Sequence, residues 1–398
     1  MKKSISLWSI SFLGAGLALV SSLFMIRLLV DSGFRVLYSF VPQISVGLEV
    51  SITVFGWLLM IRSSSALFSP VLGSLADRYG RRNVMIFALL SQTFGMFGIA
   101  FFKGWWAAVP IFFSGLAVNS YLPAQQAYIS DLVSFERRGR ALASVDMAFA
   151  VSGMTVMPLI GWLLDAYSWK TAFLWLSALS ALAAFLSWHF LPESNPAKDD
   201  ENHIPVSMGS LLRQRNILAS LGVAGLLFTG VGIFMTFWSI WLSADFGFDS
   251  VDLGLMATRI GFSEMFGVIF AGMIVDKLGK QRSSLLGVTM AAIFFALIPL
   301  GRGNLATIRI ALVLTVFWLE YSIVSLFPLY GEQAPQARAS IFSLVALANG
   351  VGLAIGPVIA TTLWEQNGLT AITWVAAVSL AFSALLIRFF LKETVEVL

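Results

Sequence analysis

The stretch GSLADRYGRR, which runs from Gly73 to Arg82, returns 199 residues later as GMIVDKLGK, which runs from Gly272 to Lys280. The shared pattern has two glycines, an aspartate and flanking basic residues: Gly73, Asp77, Arg78, Gly80, Arg81 and Arg82 in the first copy, and Gly272, Asp276, Lys277, Gly279 and Lys280 in the second. The same offset relates one further pair of motifs: Gly153 with Pro158, and Gly352 with Pro357. Similarity at one fixed offset predicts that the 398 residues form two homologous halves.

The composition indicates a membrane protein. The chain is 58% hydrophobic and 12% charged, whereas a soluble domain carries about 25% charged residues. Apolar runs such as residues 84–102 and 217–242 match the ~20 residues that a helix needs to cross a bilayer. We predict an all-α membrane protein with twelve transmembrane helices in two pseudo-symmetric six-helix bundles. The expected spans lie at about 23–45, 51–71, 83–102, 106–127, 141–164, 170–191, 216–243, 251–272, 283–301, 304–328, 339–363 and 369–391.

The distribution of positive charge predicts the orientation. Lys and Arg concentrate in every second short loop: Arg78, Arg81 and Arg82, then Arg137, Arg138 and Arg140, then Lys277, Lys280 and Arg282. Short cytoplasmic loops of membrane proteins hold such charges. We therefore expect a multi-pass protein of the cytoplasmic (inner) membrane with both termini in the cytoplasm. The same alternation explains the net charge of +4 without a nucleic-acid partner.

One polar stretch divides the chain. Residues 192–215 are too polar to enter the bilayer and are predicted to be a cytoplasmic linker. The expected domains are an N-terminal bundle at 1–191 and a C-terminal bundle at 216–398. The apolar segment from Leu7 to Val20 is similar to a signal-peptide core, but it runs into the first span. We expect it to stay as a helical extension or a surface helix, and a displaced first span is the alternative.

Several kinds of chemistry are excluded. The chain has no cysteine and only two histidines, which excludes disulfides and thiolate metal sites and makes a histidine metal centre implausible. No nucleophile, base and orienting residue come together, and no nucleotide-binding loop is present. We expect no enzymatic activity, cofactor or metal. The expected partners are a small-molecule substrate, protons or another coupling ion, and the lipid bilayer, with the protein as a monomer.

The repeated pattern resembles the signature of the major facilitator superfamily, G-x-L-a-D-r-x-G-r-[RK], which lies between the second and third helices. The loop from Asp131 to Ala141 is similar to that family's loop between helices four and five. The resemblance implies a secondary transporter with alternating access. It also implies that the loop around Asp77 is a gate that favours the outward-open state. The alternative is that its arginines only fix orientation. Gly73 and Gly80 are both expected to let backbone approach closely or to adopt positive φ in a tight turn, because they have no Cβ.

A second resemblance concerns helix packing. Glycines and prolines recur in the fifth and eleventh spans: Gly153, Pro158 and Gly161, then Gly352, Gly356 and Pro357. They are similar to the antiporter motif of the family's drug exporters, and small residues also pack helices in any membrane bundle. Two features depart from that motif. Met157 and Trp162 replace glycines, and Ile111 stands where the exporters carry an arginine in the fourth helix.

Charged residues inside the predicted spans are the candidate site. Arg27, Asp31 and Arg35 recur every four residues and share one face of the first helix. Ionisable groups in a span cost at least ~2.5 kcal/mol and are usually functional or paired. The alternatives are an internal salt bridge and, for Arg27, extension toward the cytoplasmic surface. Further candidates for the substrate and proton pathway are Arg62, Arg259, Glu264, Glu320, Asn119 and Tyr121.

These observations predict transport of a small solute. We favour proton-coupled efflux of an amphipathic or hydrophobic compound, with Asp31, Glu264 or Glu320 as the proton carrier. Uptake of an organic anion by Arg35, Arg62 and Arg259 is an alternative, because arginine binds carboxylate and phosphate. A sensor or scaffold with this fold that does not transport is a third possibility.

Overall fold

The computed structural model describes residues 12–193, 211–301 and 303–393. The first residues of the apolar segment from Leu7 to Val20, most of the predicted linker, and Arg302 lie outside the described residues.

Helices account for nearly all of the described chain. The N-terminal half contains spans 1 to 6: span 1 is Phe12–Ser39, followed by the short helix Val41–Gly47; span 2 is Ile52–Ser64 and Ser69–Tyr79; span 3 is Arg81–Ile99; span 4 is Ala108–Leu132; span 5 is Phe135–Asp146, Ala148–Val151 and Met157–Ala166; and span 6 is Trp169–Phe190. The C-terminal half contains spans 7 to 12: Arg215–Phe246, Ser250–Leu278, Lys280–Leu297, Leu305–Gln333, and the single helix Arg338–Phe390, which supplies spans 11 and 12.

Spans 11 and 12 meet at Gly368, whose φ of 71° and ψ of −170° interrupt the helix. Glycine tolerates this conformation because it has no Cβ. By length and composition alone, eight helices of the described chain can cross a membrane. The bent pair Val41–Gly47 and Ile52–Phe68, with an angle of 100°, can add a ninth. With Arg338–Phe390 divided at Gly368, and with the more polar helices included, the helices of the described chain trace twelve spans in two halves, in agreement with the predicted fold class.

Span boundaries differ from the predicted ones in the first two spans. Span 1 begins at Phe12, about three turns before the predicted start at 23. Span 2 continues to Tyr79 beyond a 3-10 turn at Ser65–Phe68. Four serines and Pro70 lie around this turn, and their weak helix propensity obscured the continuation in the sequence.

The repeated signature ends two equivalent helices. Gly80 closes span 2 with φ 93° and ψ 138°, and Gly279 closes span 8 with φ 88° and ψ 147°. The predicted positive φ is observed at Gly80, and its repeat partner Gly279 adopts the same conformation. At Gly73 the prediction is wrong in this conformation, because this glycine lies inside the helix Ser69–Tyr79 without a positive φ and without a close backbone contact among the described residues. We call the end of the molecule that contains these two turns the signature end. The opposite end contains the turns after Gly47 and Phe246.

The two halves touch through helices with small residues. A Cβ on Gly161 of span 5 would lie 2.3 Å from the Ser250 carbonyl oxygen of span 8. A Cβ on Gly56 of span 2 would lie 2.0 Å from the Thr361 hydroxyl of span 11. Side chains here would hold the helices apart, so glycine sets the spacing between the halves.

Candidate functional site

An ion pair joins the two halves in the middle of the molecule. Arg35 of span 1 donates through Nη2 to Glu264 Oε2 of span 8, and both side chains are buried. A buried ion pair is stable only when its remaining donors are satisfied. Arg35 Nε meets this condition by donating to the Phe149 carbonyl of span 5 at 3.1 Å. One guanidinium therefore links three spans across the boundary between the halves.

The local structure of span 5 makes the Phe149 carbonyl available. Residues Ser152–Val156 form a π-helical turn, which interrupts the ordinary α-helical hydrogen bonds. Gly153 lies in this turn, and a Cβ there would come within 3.2 Å of Arg35 Nη1. Arg35 therefore occupies the space that this motif glycine leaves open. The Arg35 guanidinium also lies 3.8 Å from the Phe149 ring centroid.

Glu320 of span 10 is the second carboxyl group at this position. It lies in electrostatic range of Glu264 and Arg35. A Cβ on Gly267, one turn beyond Glu264 on span 8, would lie 3.1 Å from the Glu320 Cβ. Among the described residues, Glu320 makes no hydrogen bond or ion pair. Two carboxyl groups thus share one arginine, and only Glu264 is bonded to it.

Arg27 and Asp31 form a separate cluster inside the N-terminal half. Arg27 Nε donates to Asp31 Oδ2 at 2.8 Å, and Nη1 donates to Asp146 Oδ1 at 3.2 Å. Nη1 also lies 3.3 Å from Gln125 Oε1, and the Gln125 amide donates to the fully buried Tyr121 hydroxyl at 3.3 Å. The suggested extension of Arg27 to the surface is wrong, because its side chain is only 7% exposed. The predicted stripe divides: Asp31 pairs with Arg27, and Arg35 pairs with Glu264.

Arg62 of span 2 is buried without a carboxylate partner among the described residues. Its Nε lies 3.2 Å from Ser114 Oγ of span 4, and its guanidinium lies 4.5 Å from the Phe34 ring. Within the part of the chain that the structure describes, its Nη2 makes no hydrogen bond of standard geometry, although the Tyr38 hydroxyl lies in range. Asn119 lies in the same cavity as Arg62. Span 4 approaches closely because Gly115 has no side chain, since a Cβ would lie 2.1 Å from the Arg62 carbonyl oxygen.

Arg259 does not join the group of central charges. It is exposed on span 8, on the same face as Leu255, Phe262 and Phe266, which are 46%, 43% and 55% exposed. This outward face lies away from Glu264. The predicted role of Arg259 in the pathway therefore has no support in this conformation.

The packing motifs have different partners in the two halves. Gly161 and Pro158 of span 5 contact span 8, because a Cβ on Gly254 would lie 2.9 Å from the Pro158 Cα. Gly352 and Gly356 instead pack inside the C-terminal half. Cβ atoms there would lie 2.2 Å from the Gly225 carbonyl oxygen and 2.7 Å from the Thr229 carbonyl oxygen, respectively. Pro357 lies beside Gly56 across the boundary between the halves.

Basic residues of the signature form ion pairs inside their own half. Arg81 pairs with Asp131 at 2.5 Å, Arg82 with Glu193 at 3.4 Å, and Lys280 with Glu332. Arg78, Lys277 and Asp276 are exposed, and the Asp77 side chain is not described. Cβ atoms on Gly73 and Gly272 would meet no atom of the described residues within 4 Å. In this conformation, open space therefore adjoins both glycines.

Among the described residues, the hydrogen bonds that join the halves lie in the middle and at the opposite end. Near the opposite end, the Thr53 amide donates to Glu365 Oε1 at 3.2 Å. Nearer the middle, Ser63 Oγ donates to the Leu353 carbonyl at 3.4 Å, and Ser239 Oγ donates to the Tyr38 carbonyl at 2.9 Å. This pattern describes a conformation that is closed at the opposite end.

Sequence reasoning missed four groups at these sites. Gln125 and Ser114 are polar residues within apolar spans, and this signal could have identified them. Arg309 of span 10 was also missed, and its guanidinium lies 5.5 Å from the Phe248 ring near the opposite end. The Phe149 carbonyl leaves no trace in the sequence, because it depends on the π-helical turn.

Comparisons with known proteins agree with this architecture. A family model described as Major Facilitator Superfamily matches residues 23–237 and 221–397. The "Multi-drug resistance efflux pump PmrA homolog" of Lactococcus lactis subsp. lactis (strain IL1403) is 27% identical over 368 residues, 84% of this chain and 85% of that protein. The "Multi-drug resistance efflux pump PmrA" of Streptococcus pneumoniae serotype 4 is 28% identical over 369 residues, 87% of this chain and 88% of that protein. Among solved structures, a D-xylose-proton symporter has a TM-score of 0.76 at 17% identity, covering 95% of this chain and 98% of its own.

Proposed function

This chain belongs to the major facilitator superfamily, and from that premise we propose that it exports an amphipathic or hydrophobic compound in exchange for protons. It is a multi-pass membrane protein and a secondary transporter rather than an enzyme. The observation that carries the proposal is the buried Arg35–Glu264 ion pair between the halves, with the unpaired Glu320 beside it.

The geometry supports a specific order of events. The ion pair requires an ionised Glu264, and Arg35 reaches it because spans 1, 5 and 8 meet in this conformation. When the halves separate at the opposite end, the carboxyl group loses the guanidinium and can accept a proton from that side. Closing the halves again brings Arg35 back and expels the proton toward the signature end. Proton movement is thereby tied to alternating access.

The orientation of the protein completes the exchange. We place the signature end, both termini and residues 192–215 in the cytoplasm of a bacterial cell, with the protein in the inner membrane as a monomer. Residues 1–191 and 216–398 are then the two moving bundles. In this arrangement protons enter from outside, are released inside, and drive the compound outward.

The signature motif supplies the gate in this proposal. The open space at Gly73 and Gly272 shows that these surfaces are unpacked while the opposite end is closed. We infer that they are covered when the signature end closes, with Asp77 stabilising that outward-open state through a helix N-terminus or nearby arginines. The alternative role in fixing orientation predicts that Asp77→Asn leaves gating unchanged.

The test uses the purified full chain in proteoliposomes under an imposed pH gradient. Fluorescent amphipathic dyes should move against their gradient when protons flow in the opposite direction. Glu264→Gln should bind the dyes but lose the response to the pH gradient. Glu365→Gln is the matched control, because Glu365 also contacts the other half but lies near the opposite end. Equal responses of Glu264→Gln and the wild type would refute proton exchange at this site.

Organic-anion uptake has weaker support. Of its three arginines, Arg35 is already paired and Arg259 lies on the outward face, so Arg62 is the candidate that remains. A sensor or scaffold without transport is distinguished by the same assay, since it would move no compound at any pH gradient.

A further inference from the structure

Arg62 is a buried cation with an unused donor. Its side chain is 2% exposed, in the middle of span 2. Among the described residues, Nε is bonded to Ser114, and Nη2 has no carboxylate acceptor and only the Tyr38 hydroxyl in range. Arg27 and Arg35, the other buried arginines of spans 1 and 2, each have a carboxylate partner. A desolvated guanidinium without a counter-ion is unfavourable, and its presence in a span points to a transient anionic partner.

Tyr38 presents a second unused donor beside the first. Its ring centroid lies 5.8 Å from the Arg62 guanidinium carbon. Its side chain is 1% exposed, and among the described residues its hydroxyl has no hydrogen bond of standard geometry. The hydroxyl lies in range of Arg62 and can accept a hydrogen bond from it as well as donate one. A neutral hydroxyl does not neutralise the guanidinium, so an anion is the partner that the buried cation lacks.

A cavity lies next to this arginine, between the two halves. In this conformation it offers about 30 Å³, room for about one water molecule, and it is partly open to solvent, so a larger ligand requires the walls to move apart. Phe34 and Arg62 line it together with Val118 and Asn119 of span 4, and Gly350 and Leu353 of span 11 close it from the C-terminal half. Its walls are mainly apolar, and its polar residues are Arg62, Asn119 and Ser63. Because span 11 forms one wall, a movement of the halves would change the size of the cavity.

We propose that this cavity, when its walls move apart, binds an amphipathic monocarboxylate whose carboxylate accepts hydrogen bonds from Arg62, with the Tyr38 hydroxyl beside the guanidinium. A carboxylate matches the planar guanidinium in shape and charge. The apolar part of the molecule packs against Phe34, Val118 and Leu353. This inference rests on the proposed transport function and names the chemical class of the exported compound.

A matched series of compounds tests the head group. Octanoate, octanamide and octylammonium share one apolar chain and differ in charge. The natural chain has no cysteine, so Leu353→Cys introduces a single reactive thiol into the cavity. Octanoate should slow its alkylation, whereas the amide and the ammonium should not. Val378→Cys is the control, because it lines a separate apolar groove on spans 9 and 12.

Variants assign the recognition to Arg62. Arg62→Gln should weaken octanoate protection on the order of ten- to a hundredfold, the effect of losing charge-assisted hydrogen bonds. Arg62→Lys should recover part of it, Tyr38→Phe should weaken it less, and Arg259→Gln should leave it unchanged. Melting curves identify variants that fail to fold. The comparison of the three compounds in the Leu353→Cys protein needs no substitution of Arg62 or Tyr38, so it tests the proposal even if those variants do not fold.

The possible results separate this inference from the proposed function. Equal protection by all three compounds, or none by octanoate, overturns the carboxylate site. Normal octanoate protection in a folded Arg62→Gln protein would show that Arg62 does not bind the carboxylate. Its role would then be structural, through the hydrogen bond to Ser114 that joins spans 2 and 4. Dye export driven by a pH gradient can persist in either case. Absence of that export with selective octanoate protection would refute the proton exchange and retain the binding site.

Discussion

Glu264 and Glu320 have unequal access to one guanidinium. Arg35 is bonded to Glu264, whereas Glu320 approaches span 8 at Gly267 and has no partner among the described residues. One arginine can neutralise one of the two carboxylates. Glu320 is therefore the group that can bind a proton while the ion pair stays intact, and Glu264 can do so only after the pair breaks.

This difference predicts distinct effects of two substitutions. Glu320→Gln should keep the Arg35–Glu264 pair and reduce the number of protons moved per dye molecule. Glu264→Gln should leave Arg35 buried without its partner and reduce stability by about 3–5 kcal/mol. Measurements of proton-to-dye stoichiometry and of thermal unfolding distinguish them. The same stoichiometry in the wild type and Glu320→Gln would exclude Glu320 as a proton site.

The Arg27 cluster predicts a structural effect at Asp31. Asp31→Asn removes one charged acceptor from Arg27, but Asp146 still pairs with it at 3.2 Å. We expect a loss of about 1–3 kcal/mol in stability and retained transport driven by a pH gradient. Thermal unfolding and dye export measure the two effects. Unchanged stability with loss of coupling would instead identify Asp31 as the proton carrier.

At the scale of residues, the sequence shows which side chains are unusual but does not identify their partners. The four-residue spacing correctly places Arg27 and Asp31 together, because i and i+4 side chains are neighbours on a helix. It also places Arg35 on the same helix face as Asp31. Arg35 instead pairs with Glu264, 229 residues away in the chain, and helical periodicity contains no information about such tertiary contacts.

At the scale of elements, glycines report which surfaces are packed. Gly161 packs against span 8, since an added Cβ would lie 2.3 Å from the Ser250 carbonyl oxygen, whereas Gly73 adjoins open space among the described residues. A substitution at Gly161 therefore tests a packed contact between the halves, whereas one at Gly73 tests a surface that is unpacked in this conformation. The sequence does not distinguish these two glycines.

Gly161→Ala should force spans 5 and 8 apart and favour opening at the opposite end. Gly73→Ala should leave the present conformation unchanged. Single cysteines are introduced at Leu353 in the cavity and at Ala244 near the opposite end, because the natural chain has none. Their alkylation rates measure whether the opposite end opens. Identical labelling of Gly161→Ala and the parent protein would show that span 8 adapts without separation of the halves.

At the scale of the whole molecule, the positive charges predict the direction of insertion. Ser134 is exposed at the signature end, and Ala244 is exposed near the opposite end. In intact cells, an impermeant thiol reagent should label Ala244→Cys and leave Ser134→Cys unreacted. Both should react after permeabilisation. The reverse pattern in intact cells would place the signature end outside.

The architecture could be predicted further than the site. Hydrophobic length and the 199-residue repeat indicate two six-helix halves, because both are properties of the chain itself. The early start of span 1 and the turn within span 2 were missed, since packing overrides local propensity there. The division of four central charges between two clusters also could not be predicted, because it depends on how the halves meet.

The π-helical turn at Ser152–Val156 gives span 5 a movable register. Such a turn holds one residue more than an α-helix uses, and one residue corresponds to about 100° of rotation and 1.5 Å of rise. If the turn straightened, the segment on the signature side would revolve by that angle while Met157–Ala166 stayed against span 8. The Phe149 carbonyl would swing away from Arg35. Release of the Arg35 guanidinium would then be coupled to rotation of span 5 about its own axis at the signature end of the helix.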